Sequence, residues 1–471
     1  MRTSSVKVAN VPIKHGGHGM QGRPTSNAIT IVGAGLAGSL LAIFLAQRGI
    51  RVDMIERRPD PRHMTTSAGR SINLALSTRG LHALNQVGLA DVIRQQSVTM
   101  RGRMIHTLDG DVTFQPYGKD ETEVLYAVSR HDLQCQLLSA AEHYADVNVA
   151  FQQRCIGANS ATGELCLRHE ATAQECRRPP GCVIGTDGSA SAIRHAMLTT
   201  PRFDFSQTYL EHGYKELTIP AGPNGTYQLE PHALHIWPRR AYMLIALPNL
   251  DGSFTCTLFL PFDGEPSFAH LTSDAAIHHF FHTQFPDVVP LIPDLAESFI
   301  NNPTGSLVTI KCEPWHIADR LLLLGDAAHA IVPFFGQGMN CAFEDCTVFD
   351  ACIETYGADW ARVFAAFSAA RKPNTDAIAD MAVTHYIEMR DRVADPHFLL
   401  QKQIEQELAK RYPEQYITQY ALVTFHRIPY AEARDRAQVQ EHILQELSAS
   451  ITCLDAVDWA KAKRLITQEL G

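Results

Sequence analysis

The stretch AITIVGAGLAGSLLAIFLAQRGIRVDMIERR, residues 28 to 58, decides how the rest of the chain is read. An apolar run leads into Gly33-x-Gly35-x-x-Gly38, an Ala/Leu-rich segment follows to about Arg48, and a second apolar run ends on Glu56. Strand, glycine turn, helix and strand in that order form the context in which this motif marks dinucleotide binding. The glycines let the backbone approach a pyrophosphate, and the helix start behind them favours an anion. Gly33, Gly35, Ala37 and Gly38 are therefore candidate cofactor contacts. Glu56, with Arg57 beside it, stands where an acid accepts from ribose hydroxyls. Such an acid suits the unphosphorylated adenosine ribose of FAD or NAD, and the motif alone does not choose between them. GHGMQG, residues 17 to 22, fits the same pattern without a strand before it or a helix after it, and carries no cofactor reading.

Two later segments bear on the choice. GCVIGTDGSASAIRHAM, residues 181 to 197, places Asp187-Gly188 after a short apolar strand and before Ser191-x-Ile193-Arg194. By itself it reads as a tight turn and a helix N-cap. LLLLGDAAHAIVPFFGQGMN, residues 321 to 340, ends a buried strand on Gly325-Asp326 and opens a helix after a glycine-rich turn. A carboxylate at the C-terminal end of such a strand points into the crevice where ligands bind. By itself Asp326 reads equally well as a helix cap.

In this order the three motifs resemble the single-component FAD-dependent aromatic hydroxylases, the family of p-hydroxybenzoate hydroxylase. The resemblance implies tightly but non-covalently bound FAD. Asp326 would meet its ribityl chain and pyrophosphate, with Asp187 and Gly188 completing that end. Gly336, Gly338, Met339 and Asn340 would bring backbone N–H groups to the isoalloxazine ring, and Leu76 and Arg130 would also lie at the flavin. Pro333, Phe334 and Phe335 would wall the place where flavin meets substrate.

Within that family, GRSINLALSTRGLHAL (69 to 84), MRGRMIH (100 to 106), QPYG (115 to 118), YAVSRHDL (126 to 133), LHIWPR (234 to 239) and HYIEMRD (385 to 391) are similar to the members that hydroxylate L-kynurenine. This implies that Arg103, Tyr117 and Tyr420 hold the substrate carboxylate, a task that suits the planar arginine fork. His385 stands where those members carry asparagine; its ordinary pKa lies near working pH, so protonation there would add charge. Arg101, two residues from Arg103, would share its face if both lie on a strand. The resemblance further implies that NADPH, a transient co-substrate, reduces FAD, that O2 adds at flavin C4a, and that one oxygen passes to the ring. Because the aniline nitrogen already activates the carbon ortho to it, no dedicated catalytic base is expected.

The expected fold class is α/β: a discontinuous Rossmann-type FAD domain, an antiparallel-sheet substrate domain and a C-terminal helical region. Residues 1–27 read as a disordered extension, 28–204 and 301–358 as the FAD domain with interleaved substrate-domain segments, 205–300 as the substrate sheet, and 359–471 as helices covering the site. A net charge of -9 argues against a nucleic-acid surface. Eleven cysteines without a C-x-x-C pair or zinc spacing argue against a metal site. No stretch reaches the roughly 18 apolar residues of a membrane span, and the final residues DAVDWAKAKRLITQELG are amphipathic, so a soluble, bacterial, cytoplasmic enzyme is expected. The rival readings are a hydroxylase of a phenolic acid, a non-catalytic prenyl-binding escort, and an FAD-dependent lipid reductase.

Overall fold

The computed structural model describes residues 28–64, 73–118, 121–388 and 395–470. The reading of residues 1–27 as a disordered extension lies outside them.

The glycine motif leaves the middle of a six-stranded sheet. Ile29–Val32 pairs in parallel with Val52–Ile55 on one side and Val183–Gly185 on the other. Val147–Ala150 closes one edge in parallel, Leu321–Leu323 extends the other, and His316–Ile317 adds an antiparallel edge strand. These central strands are apolar at successive positions because a parallel sheet covered by helices is buried on both faces; Ile31, Ile184 and Leu321 through Leu323 have no exposed surface. Helix Leu36–Gln47 is buried along Gly38 through Ala46, as expected of a helix hydrophobic all round. The register sets Val32 opposite Gly185, and Gly185 opposite Leu323. The turns that follow (Gly33, Asp187 and Asp326) therefore open side by side at the carboxyl end of the sheet.

A seven-stranded sheet forms the second layer, in the order Thr304–Glu313, Asp204–Ile219, Phe254–Pro261, Tyr242–Pro248, Ala233–Arg239, Gly102–His106 and Val112–Pro116. Its pairings are antiparallel except the parallel one between Ala233–Arg239 and Gly102–His106. Alternation along a strand sends successive side chains to opposite faces. Leu244 and Ala246 join Trp237, Phe254, Phe281 and Phe285 on one face. Met243 and Ile245 join Phe259, Phe335, Leu422 and Tyr430 on the other. The second face is where the C-terminal helices pack. Trp360–Ile387, Pro396–Arg411, Gln419–Thr424, Tyr430–Ser448 and Trp459–Glu469 make up that helical region, with a separate apolar core around Ile404, Tyr416, Ile443 and Ile466.

The architecture is the α/β class expected, with the antiparallel sheet and the helical C-terminal region in place. No helix among the described residues is long and apolar enough to cross a membrane.

Candidate active site

The first element of the site is the crevice at the end of the parallel sheet. Gly33 has φ of +103°, and a Cβ there would come within 2.6 Å of the Thr186 carbonyl oxygen. Gly35 differs: a Cβ there would meet nothing within 4 Å. Helix Leu36–Gln47 starts at Gly35 with no side-chain cap and no acid in its first turn, so its leading N–H groups face that open space. Buried Glu56 accepts from the Ala34 N–H and the Arg58 N–H, both at 2.9 Å. Each oxygen keeps a lone pair for a ribose hydroxyl. Arg57 is exposed next to it, and Ala37 is half-buried in the helix's first turn.

Asp187 caps a helix with one oxygen and leaves the other free. Its Oδ2 accepts from the Ala192 N–H at 2.6 Å, at the start of the short helix that Ser191 caps. Its Oδ1 is buried with no hydrogen-bond partner, and burial pushes the carboxyl above its usual range. Gly188, at φ +80°, leaves open space beside it. Buried Arg194 donates to the Ala327 carbonyl at 2.8 Å and also to that of Ser189, tying the second motif to the third. Asp326 is exposed at the head of the turn Asp326–His329.

Helix Gly338–Tyr356 begins after Gln337. The Asn340 side chain is spent within the protein: it accepts from Ser77 N–H and donates to the carbonyls of Ala75 and Gly336, each at 2.9 Å. It thereby stitches the buried end of the strand at Leu76 to the glycine turn of Gly336, and only its backbone can face a ring. Arg130 is exposed at the first position of helix Arg130–Glu142. The open cradle at Gly35 and Gly188, the unsatisfied Asp187 oxygen and exposed Asp326 fit a dinucleotide flavin.

The second element is an aromatic cage across the crevice. Arg103 projects from the strand Gly102–His106, its guanidinium carbon 4.3 Å from the Tyr420 ring centroid and 5.5 Å from that of Tyr117. The two tyrosine rings stack 5.8 Å apart. Phe335 lies 6.1 Å from Tyr420 and 4.6 Å from His385. Phe334 stacks on Tyr386 at 4.2 Å, and Pro333 is exposed at the start of that turn. Arg103 Nε, the Tyr117 hydroxyl and His385 Nε2 are buried without a hydrogen-bond partner. Among the described residues no carboxylate forms an ion pair with Arg103; its close neighbours are the rings of Tyr420 and Tyr117. Unpaired buried donors are costly, and a polar ligand entering the cage would pair them.

Two expectations change here. Burial, with Arg103 and Lys402 nearby, pushes the His385 pKa down to about 3; the imidazole is neutral at working pH and does not titrate near it. Arg101 precedes the strand and is exposed, its N–H donating to the His232 carbonyl at 2.8 Å, so it does not share the pocket of Arg103.

Below the third motif lies a charge network that the sequence did not disclose. Asp345 accepts from the Gly325 N–H at 3.1 Å, from His329 at 2.5 Å and from Arg371 at 2.7 Å. Glu344 accepts from Arg371 at 2.6 Å and from Arg79. His329, Cys341 and Asp345 offer ligand atoms within 4.8 Å of one another, a juxtaposition hidden by their spacing. Burial works against a charged imidazole, yet Asp345 holds His329 well above the usual histidine range. Asp345 accepts from His329, Arg371 and the Gly325 N–H, so these side chains form part of one buried ion-pair network. The available signal was the lone acid pair Glu344-Asp345 inside the apolar segment NCAFEDCTVF.

A family model described as an FAD binding domain matches residues 26–241 and 306–357. The chain is similar to the kynurenine 3-monooxygenase of Myxococcus xanthus strain DK1622, at 52% identity over 444 residues, 94% of this chain and 96% of the relative. It is similar to the kynurenine 3-monooxygenase of Flavobacterium psychrophilum at 47% identity over 422 residues, 90% of this chain and 94% of the relative. Among solved structures it shares its fold with the tetrameric form of 2-methyl-3-hydroxypyridine-5-carboxylic acid oxygenase, at a TM-score of 0.64 and 20% identity, over 79% of this chain and 95% of that one.

The two glycines should separate fold from cofactor. Gly33→Ala adds a Cβ against backbone at a positive φ, and strain with overpacking costs about 1–3 kcal/mol, so the melting temperature falls. Gly35→Ala fills open space: the apoprotein should melt as wild type does, while flavin absorbance per protein drops. Full flavin retention in Gly35→Ala would contradict the cradle.

His385 gives a pH signature. Its folded pKa lies below that of the unfolded chain, so between roughly pH 6.5 and 3 the unfolded state binds the extra proton and stability is lost as pH falls. Between pH 7 and 5 the loss is about 2 kcal/mol. Apoprotein carrying His385→Asn should lose correspondingly less over that interval in denaturant titrations. Parallel curves for the two proteins would mean that His385 is not held neutral.

Proposed function

The chain belongs to the kynurenine 3-monooxygenases, FAD-dependent aromatic hydroxylases, and we propose that its Arg103 cage is where the L-kynurenine carboxylate is held. It hydroxylates L-kynurenine at the 3-position with NADPH and O2, giving 3-hydroxykynurenine. The observation that carries the site assignment is the buried Arg103 Nε, without an acceptor, beside the stacked rings of Tyr117 and Tyr420.

FAD would rest on Gly33, Gly35, Ala37 and Gly38, with Glu56 at its ribose, Asp187 and Asp326 along its middle, and Gly336 through Asn340 at its ring; Arg57, Leu76 and Arg130 flank it. When bound and reduced by NADPH, it supplies the activated oxygen. The chain's own residues bind and orient the substrate and exclude water. Arg103 takes the carboxylate bidentately, the strongest geometry for such a pair. The stacked rings of Tyr117 and Tyr420 hold the guanidinium from one side, and their hydroxyls can add donors. Neutral His385 can donate one N–H to the carboxylate without adding a second charge. Pro333, Phe334 and Phe335 set the aromatic ring against the flavin site and keep it dry, which positions the reacting carbon and limits wasteful loss of oxidant as peroxide.

No side chain has to take a proton before attack, because the aniline nitrogen already enriches the carbon ortho to it. Residues 28–204 and 301–358 serve the flavin in this reading, apart from the interleaved substrate-sheet strands that carry Arg103 and its neighbours; 205–300 supply the central strands of that sheet, and 359–471 cover the pocket. A cytoplasmic location is part of the proposal; eleven unpaired cysteines suit a reducing compartment.

NADPH oxidation measured with and without L-kynurenine, alongside product formation, tests the whole reading. Substrate should accelerate flavin reduction; equal rates would count against it. Arg103→Met keeps the apolar stem and removes the charge. Stranding one charge of a buried pair costs roughly 2 to 5 kcal/mol, so affinity for L-kynurenine should fall by about one and a half to three and a half decades while flavin content stays unchanged.

A further inference from the structure

Tyr420 sits on the short helix Gln419–Thr424. Ten residues later, Tyr430 opens the helix Tyr430–Ser448. Both ends of this connection are held by one side chain from a different part of the fold. Arg79, in helix Thr78–Gln86, is 1% exposed. Its Nε donates to the Val423 carbonyl at 3.2 Å, and one terminal nitrogen donates to that of Ile428. Its other terminal nitrogen pairs with Glu344 on helix Gly338–Tyr356. The guanidinium carbon also lies 3.9 Å above the Tyr430 ring. Tyr430 in turn donates its hydroxyl to Gln337 Oε1 at 2.9 Å, within the glycine turn that follows Phe335. One buried arginine therefore reaches both walls of the cage: the helix carrying Tyr420, and the turn carrying Phe334 and Phe335.

We infer that Arg79 is a positioning residue for the substrate pocket, fixing Tyr420 over Arg103 and Phe335 beside it by anchoring the Val423–Tyr430 segment to the flavin side of the molecule. None of its hydrogen bonds, its ion pair or its ring contact among the described residues is with a candidate substrate contact. Its backbone acceptors are the Val423 carbonyl, at the end of the Tyr420 helix, and the Ile428 carbonyl, two residues before Tyr430. Lysine could keep the pair with Glu344 but cannot spread donors over both carbonyls. The inference rests on the assignment of the Arg103 cage as the carboxylate site. Arg103→Met tests that assignment separately: unchanged affinity there overturns the site itself, whereas a loss there with normal Arg79 variants overturns only the role of Arg79.

The experiment is a double-mutant cycle on the flavin-loaded enzyme with Arg79→Met, Tyr420→Phe and the double variant. KM for L-kynurenine, kcat and the share of oxidised NADPH recovered as hydroxylated product are read for each. Arg79→Met should keep its flavin, raise KM about tenfold and divert NADPH oxidation into peroxide. Tyr420→Phe should then add little on that background, a coupling of roughly two- to tenfold within the range for groups that act as a unit. Simple additivity, or unchanged KM and product yield in Arg79→Met, would overturn the proposal. Should Arg79→Met fail to accumulate as folded protein, Arg79→Lys carries the test: it is expected to retain flavin and stability yet show the raised KM and the same non-additivity with Tyr420→Phe, and wild-type values for Arg79→Lys would equally overturn it.

Discussion

Three parallel strands held in one register are the constraint on which the rest of the molecule depends. With Val32 opposite Gly185 and Gly185 opposite Leu323, segments about 150 and 140 residues apart in the chain leave the sheet side by side. The glycine turn, the unsatisfied Asp187 oxygen and exposed Asp326 become one crevice only because of that register. Slipping one strand by a residue would turn its side chains to the opposite face and scatter the motifs. The buried links that lock it are few: Thr186 Oγ donates to the Val32 and Gly33 carbonyls, and Arg194 donates to that of Ala327.

The second sheet uses its two faces for different ends. On one, Trp237, Phe254, Phe281 and Phe285 form an ordinary apolar core. On the other, the strand that buries His106 against Trp237 turns Arg103 toward Tyr117, Tyr420 and the flavin crevice. The helical region closes that face, so a cation sits in a mostly aromatic, water-poor pocket with no acid paired to it among the described residues. In such surroundings an incoming carboxylate meets a partner whose donors are already stripped of water and held in place, and binding need not reorganise the site. The same dryness serves a reaction whose chief hazard is loss of oxidant to water.

Legibility in the sequence followed the range of the interactions. The glycine motif was readable because strand, turn and helix are local and each leaves its own pattern, and the Asp-Gly and Gly-Asp turns gained meaning from their order. Arg103, Tyr117 and Tyr420 were readable only by resemblance, since their meeting is a product of sheet pairing and helix docking. The charge state of His385 was not readable at all: its ordinary pKa follows from its chemistry, while its displacement to about 3 comes from burial against residues elsewhere in the chain. Arg79 and Glu344 lie 265 positions apart, and neither carries a motif that points to the other. A charged residue flanked by apolar neighbours, as in LALSTRGLHAL, is the trace such a network leaves.

The claim at the centre is that Arg103 waits for the substrate carboxylate. The direct measurement is a cycle between protein and ligand: the dissociation constants of wild type and Arg103→Met for L-kynurenine and for its decarboxylated amine, taken from flavin absorbance or fluorescence. If the guanidinium grips the carboxylate, the amine binds wild type weakly and loses little more in Arg103→Met, so the two deletions are strongly non-additive. If the losses simply add, Arg103 does not touch the carboxylate and the cage has been assigned to the wrong end of the substrate.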